Sequence, residues 1–265
     1  MRQVINRLAR IAFLGWLGVH FFAPPSVYGA DLKTIRARGY LIVGVKDNVR
    51  PLGFRDRQNQ LTGFEIDIAR RLAKIILGKP DAIRLVPLAN RDRLSMVAND
   101  KVDLAIAQIT ATRARARIVH FSSPYYLNGI SLITQPSPNS LRIAEPKQLV
   151  GKRVGVLNNS AAIASLQYHQ PKLQVVGFDS YTTAQAKLQR GEIQAFAGST
   201  TVLTGWAQTN SSYQLIPTQF DRQPLSVAFP KGLQYADLAT IISQSLRQWQ
   251  QTGWLKERAS YWGLP

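Results

Sequence analysis

The residues best suited to chemistry lie together in DLAIAQITATRARARIVHFSSPYY, residues 103–126. The segment opens on Leu104, Ala105, Ile106 and Ala107, an apolar run that reads as a buried strand over 104–108. Thr110 and Thr112 stand at the strand end, and Arg115 follows just beyond them. A guanidinium presents paired, planar donors that match a carboxylate two-on-two, so hydroxyls followed by an arginine form a carboxylate clamp. The bland alternative for Arg115 is an ordinary solvated arginine. Arg113 and Arg117 share the run, but alternation points them elsewhere, toward solvent. Other chemistry finds little support. The histidines are His20, His120 and His169, none beside a plausible nucleophile, and neither a metal-ligand cluster nor a phosphate loop is visible. No cofactor is implied.

Positioning these residues requires a scaffold, and the hydrophobic pattern supplies one. The run 40–45, YLIVGV, reads as a buried strand ended by the polar Lys46-Asp47-Asn48. Phe64, Ile68, Leu72, Ile75 and Ile76 follow at helical spacing and stop at Gly78-Lys79-Pro80. A strand over 83–88, a short helix over 91–98 and the strand at 104–108 complete a βαβαβ order, which implies a parallel sheet with helices on its faces. Gln135-Pro-Ser-Pro-Asn-Ser140 has the turn-rich composition of a boundary.

The alternation then restarts. Strands fall at 153–156, 173–178 and 195–197, and helices at 161–168, 182–190 and near 200–208. A late strand at 225–229 and an amphipathic end carrying Leu238, Ile241, Ile242, Leu246 and Trp249 are left over. The halves share rhythm, not residues. They imply an α/β protein of two lobes joined by two hinge strands, with crossings at 131–135 and 223–227. The first lobe takes 31–132 and 225–265, the second 133–224. A cleft between hinged lobes is a favoured ligand site.

The N-terminus reads as a secretory signal: Arg2, Arg7 and Arg10, an apolar run over 11–22, and small residues up to Gly29 and Ala30, where cleavage fits. A retained anchor is the alternative, although the run is shorter than the roughly 20 residues of a comfortable span. The sequence has no cysteine, which excludes a lipid anchor and disulfides in the exported protein. About 235 residues then remain, enough for two lobes of about a hundred each. The net charge of +18 falls to +15 without the leader arginines (30 basic against 15 acidic). The basic residues are spread along the chain and do not interleave with aromatics, so they favour anions without indicating nucleic acid.

Several segments together resemble the bacterial extracellular solute-binding proteins of family 3, the polar amino-acid receptors of ABC importers. They are VGVKDN (43–48), LTGFEIDIARRLA (61–73), KVDLAIAQITATRAR (101–115), VHFSSPYY (119–126), QLVGKRVGVLNNSA (148–161), GEIQAFAG (191–198) and QTGWLKERASYWG (251–263). The resemblance implies the periplasmic binding protein-like fold (type II). It also implies a monomeric periplasmic receptor, a small-molecule ligand and an ABC permease partner in the inner membrane. Export and charge pattern argue against nucleic acid. The lesser alternative to binding without catalysis is an enzyme resembling the dehydratases of this fold, which act on cyclic precursors of aromatic amino acids with a cleft carboxyl as general acid. A ligand α-carboxylate would meet Thr110, Arg115 and backbone amides around Asn159 and Ser160. Ser160 precedes a helix start that offers unpaired N–H groups, or else simply caps that helix.

The chain departs from the family pattern where the ligand is read. An aspartate that usually pairs with the ligand ammonium is replaced by Ser199, which accepts a hydrogen bond but carries no charge. Two aromatics that sandwich cationic side chains in relatives are replaced by Arg50 and Asn90. Gln108 stands where a small residue is common and would narrow the pocket. PLANRDRL (87–94) resembles the segment of glutamate- and aspartate-binding relatives in which Asn90 and Arg93 would clamp a side-chain carboxylate; alternatively Arg93 pairs with Asp92, Asp100 or Asp103. Asp47, at the end of the first strand, either orients a polar ligand group or caps its own turn. Glu65 reads as structural. The charge changes agree in sign and favour a polar or acidic amino acid, with a dicarboxylate or other organic anion lacking an α-amino group as the alternative.

Overall fold

A computed structural model describes residues 31–135, 143–158 and 160–265. The expected signal segment and Asn159 lie outside the described residues.

The chain starts with α1 (Leu32–Arg38), capped by the Asp31 carboxylate, which accepts from the Thr34 amide at 2.7 Å. β1 (Leu41–Val45) is buried throughout. A small three-stranded sheet follows, made of β2 (Asn48–Val49), β3 (Gly53–Arg55) and β4 (Leu61–Thr62). Then come α2 (Phe64–Leu77), β5 (Ile83–Pro87), α3 (Arg93–Ala98), β6 (Leu104–Ile106) and the long β7 (His120–Thr134). The second half contributes β8 (Arg153–Leu157), α4 (Ala161–His169), β9 (Gln174–Phe178), α5 (Tyr181–Gln189), β10 (Ala195–Ser199) and α6 (Thr200–Thr209). β11 (Gln214–Phe229), α7 (Ala236–Gln251) and α8 (Trp254–Tyr261) complete the chain.

Eight strands form one mixed sheet in the order β5-β1-β6-β11-β7-β10-β8-β9. β1 runs parallel to β5 and β6, and β8 runs parallel to β9 and β10. The shared rhythm of the halves is therefore a shared topology, with the first strand of each βαβαβ unit between its second and third. The two hinge strands expected from the sequence are longer than the sequence reading made them. β7 and β11 run antiparallel through the middle of the sheet and touch both units, β11 through Ala228 to Ala105 and β7 through Ile130–Ile133 to β10. Their polar and proline residues (Ser122, Ser123, Pro124, Asn128, Pro217, Pro224) hide the strand pattern, and the β7–β11 ladder slips register at four places between Leu215 and Ala228.

The crossing expected at 131–135 lies inside a continuous strand up to Thr134, with residues 130–133 of β7 paired to β10. The strand expected to reach Gln108 stops at Ile106, because Gln108 takes a left-handed φ of 52°.

Helices cover both faces of each unit. Along β1, Leu41, Val43 and Val45 join a core with α2 and α7, whereas Ile42 turns to the opposite face with Val97 and Ala105. This is the period-2 alternation of a strand buried on both sides. The face expected on α7 is the one buried: Leu238, Ile242, Leu246 and Trp249 are core residues and Ile241 packs against them. Each such aliphatic side chain stabilises the fold by about 1.5–3 kcal/mol. A second pair of clusters, around Val154 with Leu166 and around Phe196 with Leu203, serves the other unit.

Candidate functional site

Where β1 ends, the chain turns and places Lys46 at the floor of a cleft. Lys46 is only 4 % exposed, and its Nζ donates to the Leu88 carbonyl at 2.7 Å. Burial, and then the nearby Arg93, hold its ammonium below the usual lysine pKa, against the pull of Asp47 and Glu65. The next turn brings Arg50 over the Phe54 ring, 3.7 Å from its centroid. Lys46, Arg50, Asn90 and Gln108 line one side of a cavity of about 340 Å³. Tyr181, Gly205, Trp206 and Thr209, from α5 and α6 of the second unit, line the other. The described lining contains no carboxylate. Gly205 is required here, because a Cβ at this position would come within 2.3 Å of the Arg50 carbonyl oxygen.

Gln108 is one of the points where the two units meet. Its amide donates to Glu65 Oε1 at 2.7 Å, and its carbonyl accepts from Arg93 Nη1 at 2.7 Å. Its side-chain Nε2 crosses to the second unit and donates to Ser199 Oγ at 3.3 Å and Thr201 Oγ1 at 3.1 Å. Asn128 of β7 adds a second donor to this group, 2.9 Å from Ser199 Oγ.

Behind Gln108, Glu65 is fully buried and also accepts from the Tyr125 hydroxyl. Its Oε2 has no hydrogen-bond partner among the described residues. Burial pushes this carboxyl up to about 7, opposed by the bonds from Tyr125 and Gln108 and by the charges of Arg93 and Lys46.

The helix starts of the second unit differ in a telling way. Ser180 caps α5 by accepting from the Thr183 amide at 3.1 Å. Ser160 and Ser199 occupy the corresponding positions of α4 and α6, but neither makes a side-chain capping bond. Ser160 Oγ is buried without a hydrogen-bond partner among the described residues. Ser160 and Ser199 line a smaller cavity of about 130 Å³, and Tyr181 forms a wall of both cavities. Amides at a helix start with an uncommitted hydroxyl suit an anion.

Of the residues singled out in the sequence, Arg50, Asn90 and Gln108 share the larger cavity, and Ser160 and Ser199 the smaller. Thr110 and Arg115 face each other, with Arg115 Nη1 donating to the Thr110 carbonyl at 2.9 Å, and they line neither cavity. Arg93 lies behind the wall, where it donates to the carbonyls of Asn90, Ala107 and Gln108. The alternative surface pairings of Arg93 are replaced by others: Asp92 meets Arg91, Asp100 accepts from Tyr235, and Asp103 pairs with Arg38. Asp47 turns away from both cavities toward Arg55, 3.6 Å distant. Sequence reasoning missed Lys46, which it read as a turn marker, and Thr201, Tyr181 and Trp206, whose spacing carries only a helix signal.

Two α/β lobes on shared antiparallel strands, with a polar cleft between them, define a type II periplasmic binding protein. The family model for bacterial extracellular solute-binding proteins, family 3, matches residues 41–265. The chain belongs to this family. It is 29 % identical over 201 residues to a glutamine-binding protein of Geobacillus stearothermophilus, covering 76 % of each chain. It is 27 % identical over 263 residues to the L-cystine-binding protein TcyJ of Escherichia coli K12, covering 98 % of this chain and 95 % of that one. Among solved structures, the solute receptor for L-cysteine of Neisseria gonorrhoeae superposes with a TM-score of 0.67 at 27 % identity, covering 88 % of this chain and 93 % of that one. No helix among the described residues is long and apolar enough to cross a membrane.

Proposed function

We propose that the exported protein captures a small polar or acidic amino acid in its interlobe cleft and delivers it to an ABC permease of the inner membrane, without turnover, as a monomer freed of its leader near Gly29 or Ala30. The lobes take residues 31–132 with 225–265 and residues 133–224, and closure about β7 and β11 buries the ligand. The observation that carries the acidic preference is the lining of the larger cavity. Lys46 and Arg50 supply positive charge there, Asn90 and Thr209 supply neutral polar groups, and no carboxylate lines the cavity among the described residues. In a partly desolvated cleft, opposite charge is worth far more than in water, and like charge costs correspondingly. A ligand side-chain carboxylate therefore fits this cavity and an arginine side chain does not.

The α-carboxylate faces the start of α4, where Ser160 Oγ has no hydrogen-bond partner among the described residues. The parts of Asn159, Thr110 and Arg115 in that site rest on the family resemblance. The ammonium meets the hydroxyls of Ser199 and Thr201, with no carboxylate to neutralise it. Relatives named for glutamine and cystine support an amino-acid ligand over a plain organic anion.

A thermal-shift panel on refolded, ligand-stripped protein tests the proposal, since a ligand that binds only the folded state raises the melting temperature by mass action. The panel takes glutamate, aspartate, glutamine, arginine, succinate and malate. Stabilisation by glutamate or aspartate and not by arginine is expected. Stabilisation by arginine, or by succinate and malate alone, would overturn it.

A further inference from the structure

We propose that Gln108 is a built-in latch that ties the two lobes together through the same hydroxyls a ligand ammonium requires. Its backbone is fixed from both sides. Glu65 Oε1 takes the Gln108 N–H at 2.7 Å, and Arg93 Nη1 donates to the Gln108 carbonyl at 2.7 Å. Between these two anchors the residue is held at φ 52°, a left-handed conformation that a side-chain-bearing residue adopts only where its surroundings enforce it. The enforced geometry aims the carboxamide across the cleft, and Nε2 reaches Ser199 Oγ at 3.3 Å and Thr201 Oγ1 at 3.1 Å. One end of the latch follows β6 of the first lobe. The other meets the end of β10 and the first turn of α6 in the second.

The chemistry of the two partners makes the latch a competitor. A carboxamide N–H₂ and an ammonium are both pure donors, and a serine and a threonine hydroxyl offer both the same acceptors. The anchoring Glu65 faces Gln108 and Tyr125 directly, with Arg93 and Lys46 as the neighbouring charges. This buried setting holds the Gln108 backbone in place while the side chain remains the movable part. A bound amino acid then displaces the carboxamide, and the latch stabilises only the closed form that has no ligand. Any state stabilised in competition with the liganded one lowers apparent affinity in proportion to its population. Two neutral hydrogen bonds shift such an equilibrium by about tenfold. The affinity consequence rests on the amino-acid reading above, whereas the latch itself does not.

The test is Gln108→Gly, which removes the side chain and suits the left-handed backbone. Small-angle scattering without any ligand reads the latch alone: the variant should show a larger radius of gyration than the parent. Calorimetric titration with glutamate reads the competition: the variant should bind about tenfold more tightly. An unchanged radius would overturn the latch. A larger radius with weaker glutamate binding would overturn the competition and make Gln108 a ligand contact. Binding of no amino acid by either protein, with the radius still increased, would sink the receptor reading and leave the latch standing. Should Gln108→Gly not fold, the double variant Ser199→Ala/Thr201→Val removes the acceptors from the opposite lobe and must give the same expansion.

Discussion

Replacing Glu65 by Gln is predicted to remove a pH dependence of stability with a defined sign. Glu65 is fully buried, and its carboxyl is raised from 4.5 to about 7, chiefly by burial. A folded-state value above the unfolded one means that the folded protein holds its proton more tightly. The associated stability is complete below about pH 4.5, is lost as pH rises toward 7, and stays lost above that. The span of about 2.5 units corresponds to about 3 kcal/mol.

Glutamine keeps an oxygen to accept from the Gln108 amide and the Tyr125 hydroxyl, and it puts a neutral N–H₂ where Oε2 has no partner among the described residues. It should therefore fold without this titration. Urea unfolding of parent and variant at half-unit steps from pH 4 to 8 measures the effect. The parent should lose about 3 kcal/mol relative to Glu65→Gln across that range, most of it between pH 4.5 and 7. Parallel stability curves would refute the reasoning. A difference of opposite sign would show that Arg93 and Lys46 outweigh burial and hold Glu65 ionised.

Two further predictions concern the cleft. Gly205→Ala places a Cβ 2.3 Å from the Arg50 carbonyl oxygen, so α6 must retreat from the first lobe; calorimetry should show amino-acid affinity falling at least tenfold, and urea unfolding a stability loss of about 1–3 kcal/mol from the overpacked contact. Lys46→Met keeps the volume of the buried stem and removes the charge beside the larger cavity. Its glutamate affinity should weaken by about 1.5–3 kcal/mol, measured by titration, with a smaller change for glutamine.

Much of the architecture was legible because buried strands and amphipathic helices write their own periods. The strand read over 40–45 and found over 41–45, the helix from Phe64 and the apolar face from Leu238 to Trp249 all appear where their spacing places them. The full length of the two strands that join the lobes was not legible. β7 and β11 carry prolines, serines and register slips, and their residues are chosen for passage between two environments instead of for one buried face. The site was half legible for a related reason. Arg50, Asn90, Gln108 and Ser199 stand out because their types are unexpected at those places, and all four line cavities. Lys46 is hidden because a lysine after a strand reads as a solvated turn, and only the close approach of Leu88 shows it buried. Arg93 was visible as a cation near the cleft, but its three carbonyl partners depend on the distant Ala107 and Gln108, a contact no local pattern records.

The central claim is that the charge of this cleft selects its ligand. Glutamate and glutamine are nearly the same size and differ in the charge of one terminal group, so side-by-side calorimetric titration of the refolded protein isolates that variable. Lys46 and Arg50 in the cavity wall predict that glutamate binds at least about tenfold more tightly than glutamine. Equal affinities, or a preference for glutamine, would contradict the account.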